Sequence, residues 1–388
     1  MLTSEEAARR LGVKVPTLYA YVSRGLLQSQ PDPDRRGSLF DLDQIEALAA
    51  RSRGGRQTAT RMATITTGVT QLNQELGPIY RGRLATELAR DARFEDVAEL
   101  LWQSEGGGDW RPPALGPCPL TTTFDRMRWA LVMCGAGDPL RSDRRPEAVA
   151  AAARRATASL ADVVGPSRVR AADPMDTGRD SSIAARLAAR LTDTGTNPVL
   201  PVAAVNAALV LMADHELATS TMAVRIAASV RADPYDAFLA GLVTLAGPLH
   251  GGASQQAYEL LAMAERDGAA RALDDVLRDR GIVPGFGHTV YKSGDPRFDS
   301  LLALAEPLLS DERRALLREV MDIAAANDVP LANCDLALAA LSWGTGMPPD
   351  TGRTLFAVAR IAGWAAHYME ELTERSLRFR ARAVYSST

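Results

Sequence analysis

The feature that most constrains the fold is the composition of residues 121–213, which are rich in Ala, Leu and Arg and interrupted by clusters of Gly, Pro and Asp. Because alanine has the highest intrinsic helix propensity, such a segment favours helices on propensity alone. The period-two alternation of apolar and polar residues that is typical of half-buried strands is hard to find anywhere after residue 70. The sequence therefore predicts an all-α fold for most of the chain.

Composition places the chain among ordinary globular proteins. Of its 388 residues, 46% are hydrophobic and 23% are charged, and this length allows roughly two or three domains. The formal net charge of −3 gives no overall attraction to nucleic acids or anionic membranes. The three cysteines are few and scattered, so neither a disulfide framework nor a zinc site is expected.

Nothing in the sequence predicts a membrane protein or an exported one. The longest apolar run, residues 198–213, is short for a membrane span and contains Asn206. No signal-peptide pattern precedes the polar residues at 3–6. We therefore expect a cytoplasmic protein with no membrane partner.

Residues 1–56 are predicted to form a separate unit. Ser4 can cap a helical pattern over residues 5–11, and a second such pattern covers residues 17–24. Each pattern is followed by a glycine, which commonly ends a helix. Two helices joined by a short Gly-containing turn are the helix-turn-helix pattern. The polar, Gly-rich stretch at residues 51–57 indicates that a linker follows this unit, and we place the linker at 57–61.

The order of elements in residues 1–56 resembles a MerR-type winged helix-turn-helix domain. In that resemblance the second helix would enter the major groove of DNA and offer four side chains to it: Thr17, Tyr19, Ser23 and Arg24. The segment holds nine basic and seven acidic residues, a weak surplus for a nucleic-acid-binding module. Two alternatives stay open: a DNA-binding domain, and a docking module that controls assembly without contacting DNA.

His250 lies between a proline turn and two glycines, in the stretch Gly247-Pro248-Leu249-His250-Gly251-Gly252-Ala253, and a helical pattern follows it. The unpaired N–H groups and the positive end of the helix dipole at a helix start disfavour imidazolium, so a neutral histidine is expected. A neutral imidazole can donate a hydrogen bond to a developing enolate oxygen. The alternative is a histidine that only caps a buried turn.

Four more stretches accompany His250: Ala213-Asp214-His215-Glu216, the run Gly285-Phe286-Gly287-His288-Thr289-Val290-Tyr291-Lys292, Asp295-Pro296-Arg297, and Asn333-Cys334-Asp335. Taken together, their order and spacing resemble the citrate synthase family, from residue 64 to residue 385. The resemblance implies an all-α enzyme of the citrate synthase fold. Its large helical domain would hold residues 62–246 and 346–388, and its small helical domain would hold residues 247–345.

The resemblance also implies a role for each site residue. Asp335 would remove a proton from the methyl carbon of the thioester, His250 would donate a hydrogen bond to the enolate oxygen, and His288 would protonate or polarise the keto oxygen. The dicarboxylate substrate would be bound by His215, Arg297, Arg360, Phe356 and Arg380, the last reaching the active site of a partner subunit. Coenzyme A would be bound by Val283, Pro284, Gly285, Phe286, Gly287 and Lys292.

Each role has a plainer alternative when the residues are taken alone. His215 could be a satisfied core histidine. Arg297 could be an ordinary ion-pair partner of Asp295 or Asp299. An aspartate at a helix start, as at Asp335, is most often a cap.

The function so implied is the condensation of acetyl-CoA with oxaloacetate to give citrate and CoA, by a homodimer that needs no metal or redox cofactor. One alternative is a 2-methylcitrate synthase that uses propionyl-CoA, since one extra methylene changes binding in a pocket by only about 1–3 kcal/mol. Another is a DNA-binding regulator with a citrate-synthase-like sensor body. The N-terminal unit motivates that reading, as do departures from the family pattern at Ala218, Leu336 and Ala381.

Overall fold

The computed structural model describes residues 2–11, 13–23, 27–31, 38–41, 44–45, 65–104, 106–165, 181–192, 201–248 and 250–380. The chain separates into two compact units, Met1–Thr66 and Thr67–Thr388. The predicted linker, 57–61, lies outside the described residues. The predicted division of the helical body into a large and a small domain concerns the second unit alone and stays a prediction.

The smaller unit combines two helices with a three-stranded antiparallel sheet. In chain order its elements are β1 (Leu2–Thr3), α1 (Ser4–Leu11), α2 (Val15–Ser23), β2 (Ser29–Pro31) and β3 (Ser38–Phe40). The strand order is β1-β3-β2, with Phe40 opposite both Leu2 and Ser29. Apolar side chains of the helices, the sheet and adjoining segments form a small core that includes Ala7, Leu18, Leu27, Phe40 and Ile45.

The cap of α1 differs from the prediction. The N–H of Glu6 donates to Thr3 Oγ1 at 3.4 Å, and the N–H of Thr3 donates to Glu6 Oε2 at 2.9 Å. This reciprocal pair is a capping box with Thr3 as the cap residue. The prediction that Ser4 caps the helix is therefore wrong, and the Ser4 hydroxyl lies 3.0 Å from the hydroxyl of Tyr19 instead.

The larger unit begins with a second small sheet, in a segment for which no individual strand was predicted. Its strands are β4 (Thr70–Asn73), β5 (Gly77–Tyr80) and β6 (Arg83–Leu84), all antiparallel in the order β4-β5-β6. Strands of two to four residues are too short to show a period-two pattern, which explains why none was found in the sequence. The tip of the first hairpin is a turn in which Asn73 Oδ1 accepts the N–H groups of Glu75 and Leu76.

Helices make up most of the described part of the larger unit, as predicted. In chain order they are α3 (Ala85–Asp91), α4 (Phe94–Trp102), α5 (Thr123–Gly137), α6 (Pro146–Val163), α7 (Ile183–Leu191), α8 (Val202–Met212), α9 (Thr219–Ser229), α10 (Pro234–Leu245), α11 (Ala253–Asp267), α12 (Ala269–Arg280), α13 (Pro296–Ala305), a 3₁₀ turn (Glu306–Leu308), α14 (Asp311–Ala326), α15 (Cys334–Gly344) and α16 (Thr351–Leu372). Several begin with a side-chain cap that accepts a backbone N–H of the first turn, as at Thr122, Ser182, Asp233, Asp295, Ser310 and Asn333.

Helix α16 is the centre of the larger unit and is buried along most of its length. It packs against α4, α6, α8, α9, α10, α11 and α15. Its N–H at Gly363 donates to the carbonyl of Ala213 at 3.0 Å, and a Cβ at Gly363 would come within 2.2 Å of Asp214 Oδ1. Glycine at this position therefore lets the end of α8 lie directly against α16, which fixes the segment that carries His215.

Among the described residues, no helix is both long enough and apolar enough to cross a lipid bilayer. Within the same residues, no group of three or more His, Cys, Asp or Glu side chains is arranged to hold a metal ion. All three cysteines are free thiols.

Candidate active site

One cavity of about 380 Å³ in the larger unit brings together most of the predicted site residues. Its wall is formed by the α8–α9 and α10–α11 connections, the loop after α12, the starts of α13 and α15, and one face of α16. Seven of the predicted residues line it: His215, His250, His288, Arg297, Asp335, Phe356 and Arg360. They come from positions spread over more than a hundred residues of sequence, so the fold and not a single motif assembles this site.

His215 is presented by a tight turn at the end of α8. Glu216 has a positive φ of 54°, and its N–H donates to Asp214 Oδ2 at 3.1 Å. Asp214 itself is fully buried. Burial alone would raise the pKa of Asp214, but His367 and Arg360 stabilise the carboxylate and the net pKa is lowered. The buried, ionised carboxylate of Asp214 therefore stabilises the turn by accepting a backbone hydrogen bond within it.

The imidazole of His215 is held neutral. Burial, followed by the positive charges of Arg297 and Arg360, lowers its pKa well below the usual value. Its Nε2 lies 3.0 Å from the hydroxyl oxygen of Tyr291, and its ring makes an edge contact with the ring of His288. His215 is thus a cavity residue with one ring nitrogen already paired.

His250 is half-buried and its Nε2 faces the start of α9. That atom accepts the N–H of Ser220 at 3.4 Å and lies 2.8 Å from Ser220 Oγ. The N–H is available because Ala218, the residue at the cap position of α9, has no side chain that could accept it. Since Nε2 accepts, the neutral ring carries its proton on Nδ1. A Cβ at Gly251 would lie 2.6 Å from the carbonyl oxygen of Leu245, so the turn after His250 requires glycine there.

The neutral state predicted for His250 has a different principal cause from the one expected. Its pKa is lowered to about 4 by burial first and then by the charge of Arg360. Helix α11 begins only at Ala253, three residues further on. Desolvation and a neighbouring guanidinium therefore account for the neutral ring.

His288 has a defined tautomer. Its Nδ1 accepts the N–H of Val290 at 3.0 Å and the N–H of Tyr291 at 3.3 Å. These two backbone bonds, the shorter contacts of the ring, favour the tautomer with the proton on Nε2, the nitrogen that Nη2 of Arg297 faces at 3.4 Å. Burial and the charge of Arg297 lower the pKa of His288 to about 4, so the ring is neutral near pH 7.

Asp335 lies in the first turn of α15 but does not cap it. Asn333 is the cap, and its Oδ1 accepts the N–H of Asp335 at 2.9 Å. The carboxyl group of Asp335 instead lines the cavity. Burial raises its pKa to about 6, against the opposing effect of Arg297, and the nearby carboxylate of Asp295 adds to the rise. A carboxyl with this pKa is ionised at neutral pH yet basic enough to take up a proton.

Arg360 is fully buried and has unused donors. Its Nε donates to the carbonyl of Met212 at 2.9 Å, while Nη1 and Nη2 are buried with no hydrogen-bond partner. The guanidinium lies over the ring of Phe356, 4.4 Å from its centre. Burial lowers the pKa of Arg360. Unpaired buried donors are rare because they are energetically unfavourable, and they mark a place where an anion fits.

Arg297 forms the ion pair with Asp295 that was considered as an alternative to substrate binding, and it also lines the cavity. Its Nε donates to Asp295 Oδ1 at 2.9 Å and its Nη2 donates to Asp295 Oδ2 at 2.8 Å. The same carboxylate accepts the N–H of Cys334 at 3.1 Å. The guanidinium therefore contributes its charge to the cavity from a fixed position between α13 and α15.

Comparison with known proteins agrees with this geometry. Residues 115–382 match the family described as citrate synthase, C-terminal domain. The chain is 32% identical to citrate synthase 2 of Bacillus subtilis, over 79% of this chain and 89% of that one.

This chain belongs to the citrate synthase family.

Two further likenesses accompany that membership. The chain is 28% identical to 2-methylcitrate synthase 2 of Corynebacterium glutamicum, over 77% of this chain and 86% of that one. Its fold is similar to the citrate synthase of Thermoplasma acidophilum in a ternary complex with carboxymethyl coenzyme A and oxaloacetate, with a TM-score of 0.66 and 22% identity over 87% of this chain and 96% of that chain. The second likeness concerns the fold alone.

The residues predicted to bind coenzyme A lie beside the cavity but do not line it. The loop from Val283 to Gly287 is fixed to the segment before α15: Gly287 N–H donates to the Leu331 carbonyl at 2.8 Å, and Asn333 N–H donates to the Gly285 carbonyl at 2.9 Å. Gly285 has a φ of 84°, and a Cβ there would lie 3.0 Å from that of Leu336. The departure at Leu336 thus fills the space under this loop. Lys292 is exposed, and its Nζ donates to the carbonyl of His288.

Arg380 does not line the cavity. Arg380 is exposed at the end of the described residues. In the smaller unit Thr17, Tyr19 and Ser23 are exposed on α2, and Arg24 lies outside the described residues.

Two residues of this citrate synthase-family site were missed in the sequence. Ser220 holds His250, and Tyr291 contacts both His215 and His288. Tyr291 stood in the stretch that carried the resemblance, but nothing in the sequence separated it from its neighbours. Ser220 gave no signal at all.

Proposed function

We propose that this chain condenses acetyl-CoA with oxaloacetate, and with water releases citrate and CoA. As a member of the citrate synthase family it is an enzyme of acyl-CoA condensation. One observation carries the detailed proposal: a carboxyl group with a pKa of about 6, two neutral histidines with defined tautomers, and an unpaired buried guanidinium all face the same cavity.

In the proposed first step Asp335 takes a proton from the methyl carbon of the thioester. Its pKa of about 6 keeps it ionised at neutral pH. Such a value is close to the working pH, where a general base combines the correct protonation state with useful basicity. The electron pair of the broken C–H bond forms a carbon–carbon double bond, and the π pair of the thioester carbonyl moves onto its oxygen, which gives the enolate.

The proposed donor to that enolate is Nδ1–H of His250. Ser220 holds the other ring nitrogen and so orients the ring. A neutral donor already in place where negative charge develops stabilises the transition state without reorganising the site. The pKa of about 4 keeps His250 neutral throughout the neutral pH range.

In the proposed second step the enolate carbon attacks the keto carbon of oxaloacetate and forms the new carbon–carbon bond. We assign the polarisation of the keto oxygen to Nε2–H of His288, whose Nδ1 is held by two backbone N–H groups. The two carboxylates of oxaloacetate would meet Arg360, Arg297 and His215. As the carbon–carbon bond forms, the keto oxygen takes up the Nε2 proton of His288 and becomes a hydroxyl. Water then adds to the thioester carbonyl, the carbon–sulfur bond breaks, and CoA leaves as a thiol with a proton from that water. Every proton transfer uses groups of the chain or that water, so we propose that no metal or redox cofactor takes part.

The proposed domain division explains why the site is a cleft. His215, Phe356 and Arg360 belong to the predicted large domain, 62–246 with 346–388. His250, His288 and Asp335 belong to the predicted small domain, 247–345. Closure of one onto the other would exclude water from the enolate and bring the CoA loop, 283–287 with Lys292, over the thioester.

The test is oxaloacetate-dependent release of CoA thiol from acetyl-CoA by the purified full chain, in the wild type and in Asp335→Ala. We expect turnover in the wild type and a loss of about 10²–10⁴-fold in the variant, the range for removing a general base. Asp322→Ala, an exposed carboxylate of α14, is the matched control and should keep full activity. Near-wild-type turnover by Asp335→Ala would show that another group is the base.

The choice of thioester is the second proposal. Acetyl-CoA is proposed over propionyl-CoA, and the likeness to a 2-methylcitrate synthase keeps propionyl-CoA as the alternative. The comparison of kcat/KM for the two thioesters decides between them. A preference for propionyl-CoA above about tenfold, which is about 1.4 kcal/mol in the transition state, would reverse the assignment.

The proposed assembly is a homodimer, in which Arg380 would reach the active site of the partner subunit. Support comes from large apolar side chains that are exposed on or beside α10 and the two helices that pack against it, α5 and α9: Val132, Met133, Leu140, Ile226, Val230 and Val243. Exposed apolar patches of this kind mark interaction surfaces. We expect a dimer by light scattering, and Val132→Glu with Val243→Glu should shift it to monomer.

For the smaller unit we propose a winged helix-turn-helix that binds DNA. Its two helices and three-stranded sheet support this, as does the exposure of Thr17 and Tyr19 on α2. Binding of the full chain to DNA fragments at low and moderate salt is the measurement, since phosphate contacts weaken steeply with salt. No binding at low salt, with a change of oligomer size on deleting residues 1–56, would favour the docking module.

The regulator alternative predicts DNA binding without turnover. Cytoplasmic location stays a prediction.

A further inference from the structure

Tyr291 lies behind the wall of the cavity and contacts three of the groups that form it. It is only 3% exposed and does not line the cavity itself. Its hydroxyl oxygen lies 3.0 Å from His215 Nε2, and its ring stacks on the ring of His288 with 4.6 Å between centres and 21° between planes. The guanidinium of Arg297 lies over the same ring at 5.3 Å.

The main chain of Tyr291 adds a fourth contact. Its N–H donates to His288 Nδ1 at 3.3 Å, beside the N–H of Val290. One residue thus holds His288 both through its ring face and through its ring nitrogen, and holds His215 through a hydroxyl. His215 and His288 meet edge to face, with 5.4 Å between their centres.

We infer that Tyr291 is a positioning residue for the keto-acid half of the reaction, which sets the orientation and tautomer of His215 and the orientation of His288. This inference rests on the proposed function. Tyr291 touches no substrate atom in this assignment. It acts through the two histidines, because both would otherwise be free to rotate about their side-chain bonds in a cavity with several competing partners.

The direction of the hydrogen bond follows from the chemistry of the phenol. Burial raises the pKa of Tyr291, so the group stays protonated. Among the described residues His215 Nε2 is the hydrogen-bond partner of this hydroxyl. Because a buried O–H without an acceptor is costly, we assign the donor role to the O–H of Tyr291. When that O–H donates to His215 Nε2, the neutral imidazole carries its proton on Nδ1. His215 then presents Nδ1–H as its one donor to a carboxylate or keto oxygen. Without the hydroxyl, either nitrogen can carry the proton.

Two substitutions separate the two contacts of the side chain. Tyr291→Phe removes the hydroxyl and keeps the ring stacked on His288. Tyr291→Leu removes the stacking as well. We expect Tyr291→Phe to raise the KM for oxaloacetate about tenfold with a smaller change in kcat, the effect of losing one buried hydrogen bond worth about 1.4 kcal/mol. Tyr291→Leu should also lower kcat, because His288 loses its orientation.

The matched control is Tyr235→Phe. Tyr235 is 2% exposed, and its hydroxyl donates to Asp138 Oδ2 at 2.7 Å in a different part of the larger unit. It therefore loses a comparable buried hydrogen bond with no contact to the cavity. We expect reduced stability but an unchanged KM for oxaloacetate. Equal KM values for Tyr291→Phe and Tyr235→Phe would overturn the inference.

A second measurement needs no substrate. The chain has only four histidines, so ¹⁵N NMR of their ring nitrogens in the free protein can be assigned by single substitutions. We expect a single Nδ1–H tautomer for His215 in the wild type and in Tyr235→Phe, and a mixture or the Nε2–H tautomer in Tyr291→Phe. An unchanged tautomer in Tyr291→Phe would refute the positioning role. If the wild type shows no condensation at all, the proposed function fails, but this measurement still decides the role of Tyr291.

Discussion

His367 Nε2 lies 3.2 Å from Asp214 Oδ2, and both side chains are fully buried. His367 Nδ1 lies 3.1 Å from Nη1 of Arg225, which can only donate, so the His367 proton sits on Nε2 and is donated to Asp214. Arg225 in turn pairs with Glu371 at 2.9 Å, and Glu371 also accepts from Arg378 near the end of the described chain. This buried polar chain supports, from behind, the turn that carries His215.

Removal of His367 should therefore weaken both the fold and substrate binding. In His367→Ala the carboxylate of Asp214 stays buried without its donor. We expect a loss of about 3 kcal/mol in the free energy of unfolding, because a buried charged acceptor is left without its donor, measured by urea denaturation. The KM for oxaloacetate should rise because the turn at His215 loosens. The control is Tyr368→Phe, on the same helix as His367. It loses the hydrogen bond from the Tyr368 hydroxyl to the Ala232 carbonyl and should lose about 1 kcal/mol of stability with no change in KM.

The pH profile of kcat/KM should have its acid limb near pH 6. Asp335 must be ionised to act as the base, and its pKa is raised to about 6, so activity falls as the pH drops through that value. His250 and His288 have pKa values of about 4 and stay neutral over this limb. The profile is read from initial rates between about pH 3.5 and pH 8. An acid limb near pH 4 would assign the titrating group to a histidine or to an unperturbed carboxyl.

The same raised pKa makes Asp335 a source of instability. The pKa is about 6 in the folded state against 3.8 for an ordinary aspartate, so ionisation is disfavoured in the fold. The penalty is fully present above about pH 6 and disappears as the pH falls towards 3.8. Two pKa units correspond to about 3 kcal/mol at most. Asp335→Asn should thus unfold at higher urea concentration than the wild type at pH 7.5, with a smaller difference at pH 5. Equal midpoints at both pH values would mean that the carboxyl is not buried.

The sequence located residues that lie in contiguous stretches and could not locate the contacts between them. His215, His250, His288 and Asp335 stand in short stretches whose order carries the family resemblance, so their shared cavity was predicted. Ser220 is 30 positions from His250, and Tyr291 is 76 positions from His215. Such pairs depend on how helices pack, which no local pattern encodes.

The fold shows the same limit at a smaller scale. The Ala-rich helical body was predicted from propensity, because propensity adds up over long segments. Strands β4 to β6 were not predicted, because each has only two to four residues. The misassigned cap of α1 depended on which of two neighbouring hydroxyl residues, Thr3 or Ser4, turns toward the backbone. That choice is decided by the reciprocal bond from Glu6, which the sequence made possible but did not select.

Replacing Arg360 by methionine should separate binding from stability. Nη1 and Nη2 of Arg360 are buried without partners, so its charge stabilises the substrate complex more than the free fold. In Arg360→Met we expect a free energy of unfolding equal to or above that of the wild type, as when a buried charge is exchanged for an apolar group. The KM for oxaloacetate should rise at least about 100-fold, the loss of a buried charge-assisted bond of about 2.7 kcal/mol. Oxaloacetate should raise the melting temperature of the wild type and of Arg318→Met, an exposed arginine of α14, but not that of Arg360→Met. A preserved shift in Arg360→Met would mean that the dicarboxylate is held elsewhere in the cavity.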